Sequence, residues 1–181
     1  MQRSTIDALI STTATVVVIV LFLAAAGLFF ANNFVHQQVT TQLSAERIFF
    51  PEKESAAFKA LPASSQAAIG NNAGKQLLTG AQAEIFANNY IAVHLDKIGG
   101  GKTYAELSEA SLADPSDAAL AGKVQTVFRG QALRGILLNA YAFDTMATVA
   151  LVAAYSSLVA GTVLAVLATL GFSHAKKTRR K

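Results

Sequence analysis

Two long stretches without a charged side chain constrain this chain most. From Ala8 to Ala31 there is no Asp, Glu, Lys, Arg or His, and the centre reads ATVVVIVLFLAAAGLFFA. From Thr145 to Phe172 the same holds, through TMATVALVAAYSSLVAGTVLAVLATLGF. About 20 apolar residues in a helix cover the ~30 Å hydrocarbon core of a bilayer. A helix that is apolar all round has no face to offer water. Composition agrees: 52% of the residues are hydrophobic and only 14% are charged. Both stretches are therefore expected to be transmembrane helices.

The first stretch raises a second reading, a cleaved signal peptide, because Ala24-Ala25-Ala26 would suit a signal peptidase. Against it, Arg3 is offset by Asp7, and the apolar run continues past Ala26 through GLFFA. An uncleaved anchor is expected. The net charge of +4 comes from the far end, where Lys176, Lys177, Arg179, Arg180 and Lys181 crowd the last six residues. Such a cluster directly after a span marks the cytoplasmic side and serves as a topology anchor; a further role in binding anionic lipid or nucleic acid is the alternative. Two spans then return the N-terminus to the cytoplasm. The expected order is a short cytoplasmic N-terminus (1–8), a first transmembrane helix (9–31), an extracytoplasmic helical domain (32–144), a second transmembrane helix (145–172) and a basic cytoplasmic tail (173–181).

The punctuation of the middle segment is helical. Pro51 followed by Glu52 and Glu54 reads as a helix first turn. Pro62 opens a short helix stopping near Gly70-Asn71-Asn72. GKQLLTGAQAEIFANNYIAVHLDKI reads as one helix ending at Gly99. Thr103 and Glu106 form a capping box. Asp114 reads as the next N-cap, with Pro115 at the first helical position. No alternating apolar pattern or hairpin turn suggests a strand. The fold class expected is an all-α membrane protein: two transmembrane helices with an extracytoplasmic helical domain between them.

The membrane helices should extend beyond the bilayer. No Asp, Glu, Lys or Arg occurs from Ala8 to Ala45, which is about 57 Å of helix at 1.5 Å per residue. Gly130 and Gly135 each weaken a helix by about 1 kcal/mol relative to Ala, so they mark either close packing or a bend. Ala153, Ser157, Gly161 and Ala165 recur every four residues, a small-residue seam suited to close helix approach. Its partner is either the first span, through Gly27 and Ala31, or another copy of the chain. Phe128, Arg129 and Arg134 are expected just outside the membrane, as headgroup or partner contacts or as plain interface anchors.

Chemistry is sparse. IGGGKT resembles the end of a phosphate loop, but G-x-x-x-x-G-K-[ST] requires a glycine where Asp96 stands, and a strand ahead of it. No nucleotide is expected. The middle segment holds nine acids and nine bases between Asn33 and Phe143, which gives no footprint for nucleic acid. The three histidines are His36, His94 and His174; His174 lies across the membrane from the others, and His94 and Asp96 point apart on a helix. With no cysteine, no cofactor or metal is expected. No G-x-S-x-G occurs, so no enzyme is expected. Neither span carries a charge, which argues against a lone transporter; in an oligomeric pore Tyr155, Ser156, Ser157 and Thr162 would line the path.

The stretch AGKQLLTGAQAEIFANNYIAVHLDKIGGGKTYAELSEASLADPSDAALAGKVQTVFRGQALRGILLNAYAF, flanked by two spans and a basic tail, resembles a family of small actinobacterial membrane proteins. The resemblance covers nearly the whole chain and implies a bacterial cell membrane. It assigns no activity. Some members bear the label "aromatic ring-opening dioxygenase", but a non-haem iron site takes two histidines and a carboxylate together, and only His36 and His94 share a compartment. The expected function is a membrane-anchored structural, scaffold or accessory-subunit protein. Its expected partners are the lipid bilayer and other membrane-protein subunits or itself. The alternative is an extracytoplasmic ligand-sensing module that signals through a partner.

Overall fold

The computed structural model describes residues 3–179; Arg180 and Lys181 of the expected topology anchor lie outside the described residues. Most of the described residues are helical. Long helices stand at either end: α1, Arg3–Glu46, of 44 residues, and α7, Ala118–Arg179, of 62. Both are long and apolar enough to cross a membrane. Between them come α2 (Ala56–Lys59), α3 (Ala63–Ile69) with a 3-10 turn at Gly70–Asn72, α4 (Gly80–Phe86), a π turn at Ala87–Ile91, α5 (Ala92–Gly99) and α6 (Tyr104–Ala113). The chain divides into two compact units: residues up to Val35 with those from Met146 onward, and His36–Thr145.

The first unit is an antiparallel helix pair. Its register is set by successive contacts: Ser11 against Gly171, Phe22 against Gly161, Phe29 edge-on to Tyr155 at 5.1 Å, and the Asn32 amide donating to the Ala147 carbonyl at 2.8 Å. Buried positions recur every seven residues. On α1 they are Ser4, Ser11, Val18, Ala25 and Asn32; on α7 they are Ala147, Ala154, Gly161, Ala168 and Ala175. A seven-residue repeat keeps one seam of each helix facing its partner. The residues in the seam are small, so the backbones approach closely, while the large apolar side chains point away: Leu23 is 69% exposed and Phe30 73%. The hydroxyls of Thr12, Thr13, Ser156 and Thr162 donate to carbonyls four residues back in their own helix, which satisfies them without water.

The second unit packs the short helices around the C-terminal part of α1 and the first part of α7. Ile69, Leu77, Val127 and Leu137 are its largest fully buried side chains. The helix expected from Gly74 to Gly99 starts later than the sequence suggests. Leu77 N–H donates to Ile48 O, and Phe50 N–H to Lys75 O, both at 2.9 Å. These bonds hold Lys75–Leu78 extended, and Phe49 bridges Gln76, the one bridge among the described residues. Thr79 then caps α4 in a capping box with Gln82.

Two other starts also shift. Ser55, rather than Pro51, opens α2, with its hydroxyl accepting from Phe58 N–H at 3.2 Å. Pro51 is drawn away because its carbonyl accepts from Gly74 N–H. α7 begins at Ala118, capped by Asp117, whose carboxylate accepts from Leu120 N–H at 2.9 Å. Asp114 instead turns onto Ser116, accepting from its hydroxyl at 2.6 Å. Ser116 first by its hydroxyl, then by its amide, holds the Asp114 carboxyl below the usual range. Pro62 and Gly70 bound α3 as the sequence suggests.

Candidate functional site

Glycine-rich Ile98–Thr103 forms a helix stop joined to a capped start. Gly100 adopts a left-handed conformation (φ 63°) at the end of α5, and Gly101 N–H bonds back to Asp96 O at 3.0 Å. Gly100 and Lys102 also spend their amides on carbonyls of this turn, so these donors are not free to cradle a phosphate. Thr103 then caps α6, and the Glu106 carboxylate reaches back to Thr103 N–H at 2.7 Å. That amide first, and the Thr103 hydroxyl second, hold the Glu106 carboxyl below its usual range. A depressed carboxyl contributes stability above its unfolded pKa, about 4.3 for Glu, and loses it as pH falls through the folded value. Hydrogen exchange of the α6 amides, corrected for intrinsic rate, should show protection that falls in acid below that range. Glu106→Gln should flatten this fall, and Thr103→Ala should cost about 1 kcal/mol at neutral pH.

Two His–Asp pairs join residues remote in sequence. In the first unit His174 Nδ1 lies 3.0 Å from the Asp7 carboxylate, and in the second His36 Nδ1 lies 2.6 Å from that of Asp144. Asp144 is also pressed against Gly80 at the start of α4, so that a methyl group on Gly80 would overlap the Asp144 side chain. Among the described residues no three or more His, Asp or Glu side chains come together as a metal site. His94 packs against Tyr90 with ring centroids 4.4 Å apart and the rings tilted by 47°, and its Nδ1 is 2.8 Å from the Tyr90 carbonyl.

Phe128 and Arg129 are exposed on α7, and Phe128 packs against Tyr104 at 5.6 Å. Arg134, also on α7, is turned toward the π turn. Half-buried, it donates to Asn88 Oδ1 at 2.9 Å, and its Nε has no partner. Asn88 sits in the π turn, where the widened helix carries an extra residue per turn. Gly130 lies against the Leu95 side chain, while Gly135 has open space. In the first unit Gly161 is buried, whereas Ala153, Ser157 and Ala165 are half-buried. Gly27 is exposed with nothing near it; the α1 residues facing Gly161 are Leu21 and Phe22. Lys176 and Lys177 are exposed near the end of α7, and Arg179 is its last residue.

An apolar concavity lies within the second unit. It is a groove of about 470 Å³ between Val39–Ile48 and Leu133–Phe143. Val39, Leu43 and Ile48 form one wall and Leu133, Ile136 and Phe143 the other, with Gln42, Glu46 and Asn139 as the polar members. The sequence gives a partial signal for it: apolar residues persist on both helices beyond the lengths a bilayer requires. Comparison with protein families, with characterised proteins and with solved structures finds no match to this chain.

Proposed function

We propose that this chain is a two-span protein of a bacterial cell membrane, with residues 36–145 on the outer side. It acts as a scaffold or accessory subunit through contacts with other membrane proteins or with itself. The observation that carries the reading is the inverted pattern of the helix pair. Apart from Val18, its buried seam is Ala, Gly, Ser and Asn, while its exposed large side chains are mostly Val, Leu, Ile and Phe. In water such a surface aggregates; in lipid, where close packing and buried hydrogen bonds drive helix association, it is the expected arrangement. The basic tail supports a cytoplasmic C-terminus, and the resemblance to small actinobacterial membrane proteins supports the compartment. For partner contact, Leu112 is 79% exposed, Phe49 56% and Phe128 50% in the unit assigned to the outside.

Extraction in mild detergent followed by native mass spectrometry tests this. The expected result is a defined oligomer or a stable complex with a larger membrane protein. A monomer with no companion contradicts it. The groove between Val39 and Phe143 favours a second reading, a ligand-sensing module, whose mark would be stabilisation rising with ligand concentration.

A further inference from the structure

We propose that the end of the helix pair where both termini lie binds one anionic phospholipid. Its acyl chain lies in a cleft between α1 and α7, and its phosphate sits among the basic residues that end α7. This rests on the membrane placement proposed above. The cleft belongs wholly to the first unit and has a volume of about 270 Å³. Ile10, Ala14, Leu164 and Leu167 give it hydrocarbon walls, and Asp7 and His174 stand at its terminal end. Two observations independent of those walls point to an anion. The first is one-sided charge. Lys176, Lys177, Arg179, Arg180 and Lys181 follow His174 directly, no acid occurs after Asp144, and Asp7 is the one acid before Glu46. The second is that this one acid is already engaged. Asp7 lies 3.0 Å from His174 Nδ1, and the other ring nitrogen of His174 has no partner among the described residues. A protonated imidazole donates from both nitrogens, here one to Asp7 and one outward. Lys177 is exposed three residues beyond His174, and side chains at i and i+3 are neighbours on a helix surface. Lys and Arg beside a membrane surface attract anionic lipid. The walls favour lipid over nucleic acid, which could use the cations but has no hydrocarbon chain to lay between Ile10 and Leu167.

The chain contains no tryptophan, so a single introduced Trp reports from one place. Leu167→Trp puts the probe in the cleft wall; Val166→Trp puts it at the same depth, exposed and outside the cleft lining. The full-length variants are reconstituted in phosphatidylcholine vesicles containing rising fractions of a lipid with brominated acyl chains, which quench tryptophan on contact. That lipid is phosphatidylglycerol in one series and phosphatidylcholine in the other. Half-quenching of Leu167→Trp should need about fivefold less of the phosphatidylglycerol, the preference that one cation near the surface confers. Val166→Trp should need similar fractions of both. Adding Lys176→Gln, Lys177→Gln, Arg179→Gln, Arg180→Gln and Lys181→Gln together should bring the two fractions at Leu167→Trp into line. Brominated lipid occupies both leaflets, so the comparison holds whichever way this variant inserts, and quenching at full bromination shows that it has inserted.

If both lipids quench Leu167→Trp at equal fractions, the lipid proposal falls while the membrane reading stands. If neither probe is quenched by either lipid, both fall. An equal preference for phosphatidylglycerol at both probes means that anionic lipid gathers round the tail without entering the cleft, which overturns the proposal. So does a preference that survives the five Gln substitutions, since the cations then select nothing. If phosphatidylglycerol has no advantage at Leu167→Trp and a DNA duplex binds the full chain in detergent, the cations serve nucleic acid instead. If quenching at Leu167→Trp falls as protein density in the vesicle rises, a second copy covers the cleft, and the proposal falls.

Discussion

Gly80→Ala is expected to destabilise the protein, although alanine is the better helix former by about 1 kcal/mol. Gly80 begins α4 under the Thr79 cap, and Asp144 of α7 lies directly against it. An added Cβ would overlap the Asp144 Cβ and come within 2.8 Å of its Cγ and 2.9 Å of Oδ2. The obstructing atoms include the first side-chain carbon, fixed to the backbone, so no rotamer change clears them. Overpacking of this kind costs about 1–3 kcal/mol. The overlap also pushes the Asp144 carboxylate from His36, 2.6 Å away. Gly135→Ala is the control: nothing lies within 4 Å of its added carbon, so the helix-propensity gain of up to about 1 kcal/mol should appear unopposed. Unfolding of the full chain in detergent, followed by pulse proteolysis, should therefore give opposite signs for the same substitution. A Gly80→Ala variant as stable as the parent would contradict the close approach of α4 to α7.

Features that depend on composition or on neighbours within one turn were legible in the sequence. The two charge-free runs became the two long helices because length and apolarity alone decide that outcome. The Thr103–Glu106 cap was legible because donor and acceptor are three residues apart. What depends on remote partners was not. Lys75–Leu78 reads as helix locally, but its backbone bonds to Ile48 and Phe50, a pairing that no local propensity announces. The helix seam shows a near miss in period. Ala153, Ser157, Gly161 and Ala165 follow a four-residue step, whereas the buried α7 positions from Ala147 onward step by seven and share only Gly161 with that set. Period four drifts around a helix surface; period seven stays on the partner-facing side. The His–Asp pairs left a sequence signal too. Each long helix carries one Asp and one His bracketing its apolar run, Asp7 and His36 on α1 and Asp144 and His174 on α7. Laid antiparallel, the two helices bring unlike residues together. The groove had only the extended apolarity of both helices as a clue, since a concavity depends on how the walls are spaced.

Topology is the central claim, and its test is all-or-none. With no cysteine in the chain, a single introduced thiol reports unambiguously. Ala119→Cys places one on the exposed start of α7, and Thr178→Cys one near that helix's end. In intact cells a membrane-impermeant maleimide should label Ala119→Cys fully, and Thr178→Cys only after the membrane is opened. Labelling of Thr178→Cys in intact cells, or protection of Ala119→Cys there with labelling on opening, would contradict an outer helical unit carried by two spans.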